Sequence, residues 1–166
     1  MIELLIAMMV LNVGILAIVA AFNSGALAMQ RASQTSTGSV LADKQMELYR
    51  ALNWSAIGLR SGVAMDPGSV AEACADPTYA AGFSPCETQQ LVVCASPTPQ
   101  CTAMQTGVTG PDGRTYRIDT YIVEDPTVVG PTPSGRPVKR VTVVVRHATT
   151  LKALSRVTSS FDQSTG

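Results

Sequence analysis

No charge stands between Glu3 and Arg31 in this 166-residue chain, and no Lys or Arg comes before that stretch. The first absence excludes an ordinary water-facing helix, which needs a polar face to set against its apolar one. The second argues against a cleaved secretory signal, which opens on a basic region and has a shorter apolar core. It also argues against an ordinary signal anchor, whose cytoplasmic flank carries Lys or Arg. Proline is missing from residues 1–53, so no ring breaks a helix there. Histidine is reduced to His147, in the strand-like run Val145-Arg146-His147-Ala148, where a solvent-facing or edge residue is expected. Cys74, Cys86, Cys94 and Cys101 lack the paired spacing of a zinc site. With no nucleophile elbow, phosphate-binding glycine loop or metal triad in view, neither an enzyme nor a cofactor is expected.

What is present begins with residues 4–22, apolar at every position except Asn12 and Gly14. As a helix this stretch spans about 28 Å, close to the hydrocarbon thickness of a bilayer. Its core positions are Leu4, Leu5, Ile6, Met8, Met9, Val10, Leu11, Val13, Ile15, Leu16, Ile18, Val19 and Phe22. Glu3 is the one carboxylate at its edge, where an acid is costly unless a cation meets it. The plainer account is a Glu favoured at a helix N-terminus by the macrodipole.

The run Met1-Ile-Glu-Leu-Leu-Ile-Ala-Met-Met-Val-Leu-Asn-Val-Gly-Ile-Leu resembles the mature N-terminal segment of bacterial type IV pilins and pseudopilins. The resemblance covers roughly residues 1–55. In that family a prepilin peptidase cleaves ahead of the acid and methylates the new amino terminus. Glu3 matches the acid. Fewer residues precede Glu3 than precede the acid in the family, so the mature start is expected ahead of Met1. The resemblance implies that Glu3 neutralises the N-terminal amine of a neighbouring subunit and so sets register, as the apolar helices leave the cytoplasmic membrane for a filament core. Lipid and filament core are both apolar, so this transfer is close to balanced in hydrophobic energy.

Four segments are expected: 1–25, the apolar membrane and filament-core helix; 26–53, its amphipathic continuation; 54–112, a cysteine-bearing connecting region; and 113–166, an antiparallel sheet. Leu41, Leu48, Tyr49 and Leu52 share a helical face suited to packing on the chain's own head. A helix to about residue 53 would be roughly 75 Å long, more than a compact head covers. Gly14, Asn23 and Gly25 are poor helix formers and are where melting in a filament is expected, a continuous helix being the alternative. Residues 113–123 alternate, with Tyr116, Ile118 and Ile122 on one face. Residues 138–149 follow with Val141, Val143 and Val145 inward, then 154–161. The fold class is therefore α+β, with a long N-terminal helix on a three- to four-stranded antiparallel sheet and a disulfide-bearing loop region. For an exported head the cysteines suit two disulfides; local pairing, Cys74 with Cys86 and Cys94 with Cys101, is preferred, with the other connectivities open.

Residues 61–113 carry acids and no base, and residues 126–161 carry Arg136, Lys139, Arg140, Arg146, Lys152 and Arg156 and no acid. These segments are expected to face one another, within a subunit or between neighbours. No aromatic interleaves with the bases, so DNA binding is a weak reading. Asn53-Trp54-Ser55 fits a glycosylation pattern that arises easily by chance.

Taken with the resemblance, these features point to a structural subunit of an extracellular type IV pilus filament. Its partners would be further copies of itself, the cytoplasmic membrane before assembly, prepilin peptidase and the pilus assembly machinery. Adhesion, motility and DNA uptake are all compatible roles. The alternatives are a minor pilin or type II secretion pseudopilin and, from a different class, a monomeric membrane-anchored binding module.

Overall fold

The structure is a computed structural model that describes residues 2–59, 98–124 and 138–163. It is an α+β arrangement: one long helix, α1 (Ile2–Arg50), then four strands, β1 (Met104–Thr109), β2 (Thr115–Glu124), β3 (Val138–His147) and β4 (Ala153–Asp162). The chain divides into two compact units, Met1–Ser36 and Thr37–Gly166. The first contains only the N-terminal part of α1, and the second, the head, holds the rest.

α1 runs unbroken through Gly14, Asn23 and Gly25, which are tolerated because other good helix formers surround them. It ends at Arg50, a little earlier than the expected residue 53. There the ladder tightens, with the Leu52 amide donating to Tyr49 O at 3.1 Å, and Asn53 turns extended. A short 3₁₀ turn, Trp54–Ala56, follows. Arg50 in the last turn suits the negative end of the helix dipole.

The sheet is antiparallel in the order β1-β2-β3-β4, so each strand pairs with its neighbour in sequence. β2 and β3 are central, with Ile118 opposite Val145 and Ile122 opposite Val141. β1 falls within the stretch that the sequence reads as the connecting region. Its alternation is short and is broken by Gly107, whose φ of 72° accompanies a register shift between Gln105 and Val108. The β1–β2 turn needs a glycine for space as well, because a Cβ at Gly110 would lie 2.6 Å from Thr37 Cγ2 and 2.7 Å from Tyr116 Cε2.

Within the head, Leu41, Ala42, Met46 and Tyr49 of α1 pack on Tyr116, Ile118, Ile122, Val141, Val143 and Val145, closed by Ile57 and Leu59. The expected inward residues of both central strands are all in this core. Leu52 packs against its margin. Ser39 and Ser155 hydroxyls meet at 3.2 Å, and the Gln45 amide donates to Pro99 O at 2.8 Å.

Tyr49 is fully buried, and its hydroxyl has no hydrogen bond of good geometry. Burial pushes its pKa from 10.0 up to about 12, with the nearby Thr120 hydroxyl and Gln45 pulling weakly the other way. The folded value is raised, so its contribution is intact below pH 10 and lost as pH rises towards 12. That difference is worth roughly 3 kcal/mol. Urea unfolding across this range should show the loss, and Tyr49→Phe should flatten it; an unchanged slope in the Phe variant would place the titration elsewhere.

Candidate functional site

Two sets of residues stand out, one in each unit. In the N-terminal unit, every residue from Ile2 to Ser33 is exposed, although most of this stretch is apolar. Leu4, Leu5, Ile6, Met8, Met9, Val10, Leu11, Val13, Ile15, Leu16, Ile18, Val19 and Phe22 are all among the exposed large hydrophobics. They surround the helix instead of forming one stripe, which is the pattern of a helix buried on all sides in its working environment. α1 is long and apolar enough to cross a membrane. Glu3 lies in its first turn, where the helix dipole favours an anion.

The helix surface is not uniform. Around Ala21, Gly25 and Ala26 the side chains are small, and Ile18, Phe22 and Met29 stand round them to form an open apolar groove of about 460 Å³. Phe22 and Met29 are 75% and 77% exposed, the most exposed of the large hydrophobics here. Small residues framed by large ones let a second helix approach closely in an apolar medium.

In the head, the alternation that aims Ile118 and Ile122 at α1 sends Arg117, Asp119 and Tyr121 to the opposite face. There the Asp119 carboxylate receives Arg117 Nε and Arg146 Nε, each at 2.8 Å, and all three residues are buried. Arg117 and Arg146 sit opposite one another in the β2–β3 register, which brings both guanidinium groups to the one acid. Such a cluster is costly to desolvate, and is worse to break than to have never formed.

Lys139 belongs to the run of bases expected to meet the acids of residues 61–113. It is buried on the α1 side, where Nζ donates to the carbonyls of Trp54 at 3.0 Å and Ile57 at 2.9 Å and sits 4.1 Å above the Trp54 ring. It satisfies carbonyls left over where the helix has ended and adds a cation–π contact. Arg146, from the same run, meets Asp119, which lies outside that acidic segment. Asp112 accepts the Tyr116 hydroxyl at 2.6 Å, and this bond holds its carboxyl below the usual range. Burial pushes the Tyr116 hydroxyl up, and Asp112 adds to the shift. Asp66, Glu72, Asp76, Glu87 and Arg136 lie outside the described residues.

His147 is half-buried at the end of β3, a central strand, so it is not an edge residue. Its Nδ1 accepts the amides of Thr149 and Thr150 at 3.3 Å, which makes it the cap of the β3–β4 turn. Cys101 is buried and disulfide-bonded. Cys74, Cys86 and Cys94 lie outside the described residues, and the pairing lies there with them. Among the described residues no group of His, Cys, Asp and Glu is placed to hold a metal ion.

The Asp119 cluster and the Lys139 cap were both missed from sequence. The only trace of the first was two opposite charges two residues apart on one strand. No family model matches the chain, and neither a curated protein nor a solved structure matches it.

Proposed function

We propose that this chain is a structural subunit of a type IV pilus-like filament, anchored in the cytoplasmic membrane by α1 and then polymerised outside the cell. The observation that carries the reading is the N-terminal unit, an apolar helix exposed on every side from Ile2 to Ser33 with one carboxylate at its start. Leaving that much apolar surface in water is strongly unfavourable. Lipid can cover it before assembly, and the same segment of neighbouring copies can cover it afterwards. The groove over Ala21 and Gly25 suits close helix–helix packing of that kind. A disulfide-bonded head suits exposure outside the cell. The resemblance of residues 1–55 to pilins points the same way.

The deciding measurement is electron microscopy with mass spectrometry on material sheared from cells. Long filaments made mainly of this chain, with a cleaved and methylated N-terminus ahead of Glu3, support a major subunit. Traces of the chain in filaments built of another protein support a minor pilin or pseudopilin. A chain found only in the membrane fraction, with no filament, supports an anchored binding module and overturns the polymer reading.

A further inference from the structure

Every described element of the head outside the sheet lies on the α1 side: α1 itself, the turn that brings Ile57 and Leu59 into the core, and Pro99, whose carbonyl accepts the Gln45 amide. The opposite face of the sheet would then be open to water. It is not. Asp119 and Tyr121 of β2 and Thr142, Val144 and Arg146 of β3 point to that outer face by alternation, and all are buried. Tyr121 and Val144, 1% and 3% exposed, form an apolar cluster separate from the main core. A tyrosine standing off an open sheet cannot be shielded so completely by neighbours in the plane of that sheet.

The burial is graded across the strands. Arg156, Thr158 and Ser160 of β4 share the outer face, opposite Val144, Thr142 and Arg140, and all three are exposed. The cover thus lies over β2 and β3, stops short of β4, and comes from the β1 edge. Residues 60–97, which lie outside the described residues, rejoin the described chain on that edge, at Thr98, just ahead of β1. Cys101 is disulfide-bonded, and the other cysteines, Cys74, Cys86 and Cys94, all fall within 60–97, so a disulfide ties that segment to the same edge. The charges match as well. The outer face carries Arg117, Arg140, Arg146 and Arg156 against Asp119 and Asp162, while the segment carries Asp66, Glu72, Asp76 and Glu87 and, after Arg60, no base. Residues 125–137 hold Asp125 and Arg136, with no net charge, and join β2 to β3 away from the β1 edge.

We propose that residues 60–97 pack over the outer face of β2 and β3 as a third layer of the head, seated on Tyr121 and Val144 and held by the surplus of arginine around them. This arrangement does not depend on the filament reading. It takes Arg117 and Arg146 away from any outside partner, nucleic acid included, and makes residues 60–97 the surface that the head presents on that side.

Photo-crosslinking tests this on the full-length chain in detergent, with its disulfides intact and dilute enough that copies do not meet. With p-benzoylphenylalanine in place of Tyr121, irradiation should give an adduct within one chain, and peptide mapping should put it in 60–97. The same probe in place of Thr158, on the exposed part of the face, should lose most of that adduct. If the head does not tolerate the probe at Tyr121, which Trp54 fluorescence reports, Met104 takes it, being half-buried opposite Asp119 on the same face. Changing Asp66, Glu72, Asp76 and Glu87 together to lysine should cut the adduct several-fold at low salt. An adduct in 125–137, an adduct between copies, or none from either position overturns the proposal, and so does an unchanged yield after the charge reversal. The filament reading survives each of these results.

Discussion

Glu3→Ala should abolish filaments while leaving the chain in the membrane. The apolar stretch from Leu4 to Phe22 is untouched by the change, so insertion, which depends on that stretch, proceeds. On the filament reading, what disappears is the charge that compensates a cationic amine inside an apolar bundle. Leaving such a charge uncompensated costs about 3–5 kcal/mol when one partner of a buried pair is removed, which is roughly two to four orders of magnitude in each subunit's addition. The macrodipole account of Glu3 gives a much smaller effect, about 0.3–1 kcal/mol. It predicts a mild effect from both Glu3→Gln and Glu3→Ala, whereas a charge requirement makes both variants fail. Microscopy of sheared material beside an immunoblot of the membrane fraction measures both quantities. Normal filaments from Glu3→Ala would end the register mechanism.

Asp119→Ala should produce the largest loss of stability in the head. The substitution leaves Arg117 and Arg146 facing each other across β2 and β3, both buried and without the carboxylate between them. A penalty of about 3–5 kcal/mol follows from removing one member of a buried ion cluster, a large share of the stability of a small domain. Replacing Arg117, Asp119 and Arg146 together with leucine should cost less than the single change, since the three buried charges are then removed together. Trp54 is the only tryptophan, and Lys139 sits over its ring, so its fluorescence in detergent-solubilised chain reports unfolding of the head directly. If Asp119→Ala unfolds at the same denaturant concentration as the unaltered chain, the cluster is not the structural element described here.

The difference between what was legible and what was missed follows the range of the interactions. The inward set Val141, Val143 and Val145 could be read from a period of two, because successive side chains on a strand point to opposite faces whatever the strand pairs with. The face of α1 that carries Leu41 and Tyr49 could be read from helical spacing for the same reason. β1 escaped because its six residues include Gly107 at a bulge, and a short irregular strand becomes one only by pairing with β2. In the sequence Lys139 reads as one base in a run of bases. Its burial depends on where α1 ends and where the carbonyls of Trp54 and Ile57 then point, 82 or more residues earlier in the chain.

The sequence by itself determined the local properties: an apolar N-terminal helix with a single acid at its start, a helical face and alternating strands able to bury a common core, and cysteines suited to an exported head. Periodicity and hydropathy are written residue by residue, and so they survive without knowledge of the partner. Only the tertiary structure decided that Arg117 and Arg146 share Asp119, that Lys139 closes the helix end, and that the face of the sheet away from α1 is buried at Tyr121 and Val144. Each of these depends on cross-strand register or on residues far apart in the chain, and register is set by which strands pair, not by any one of them.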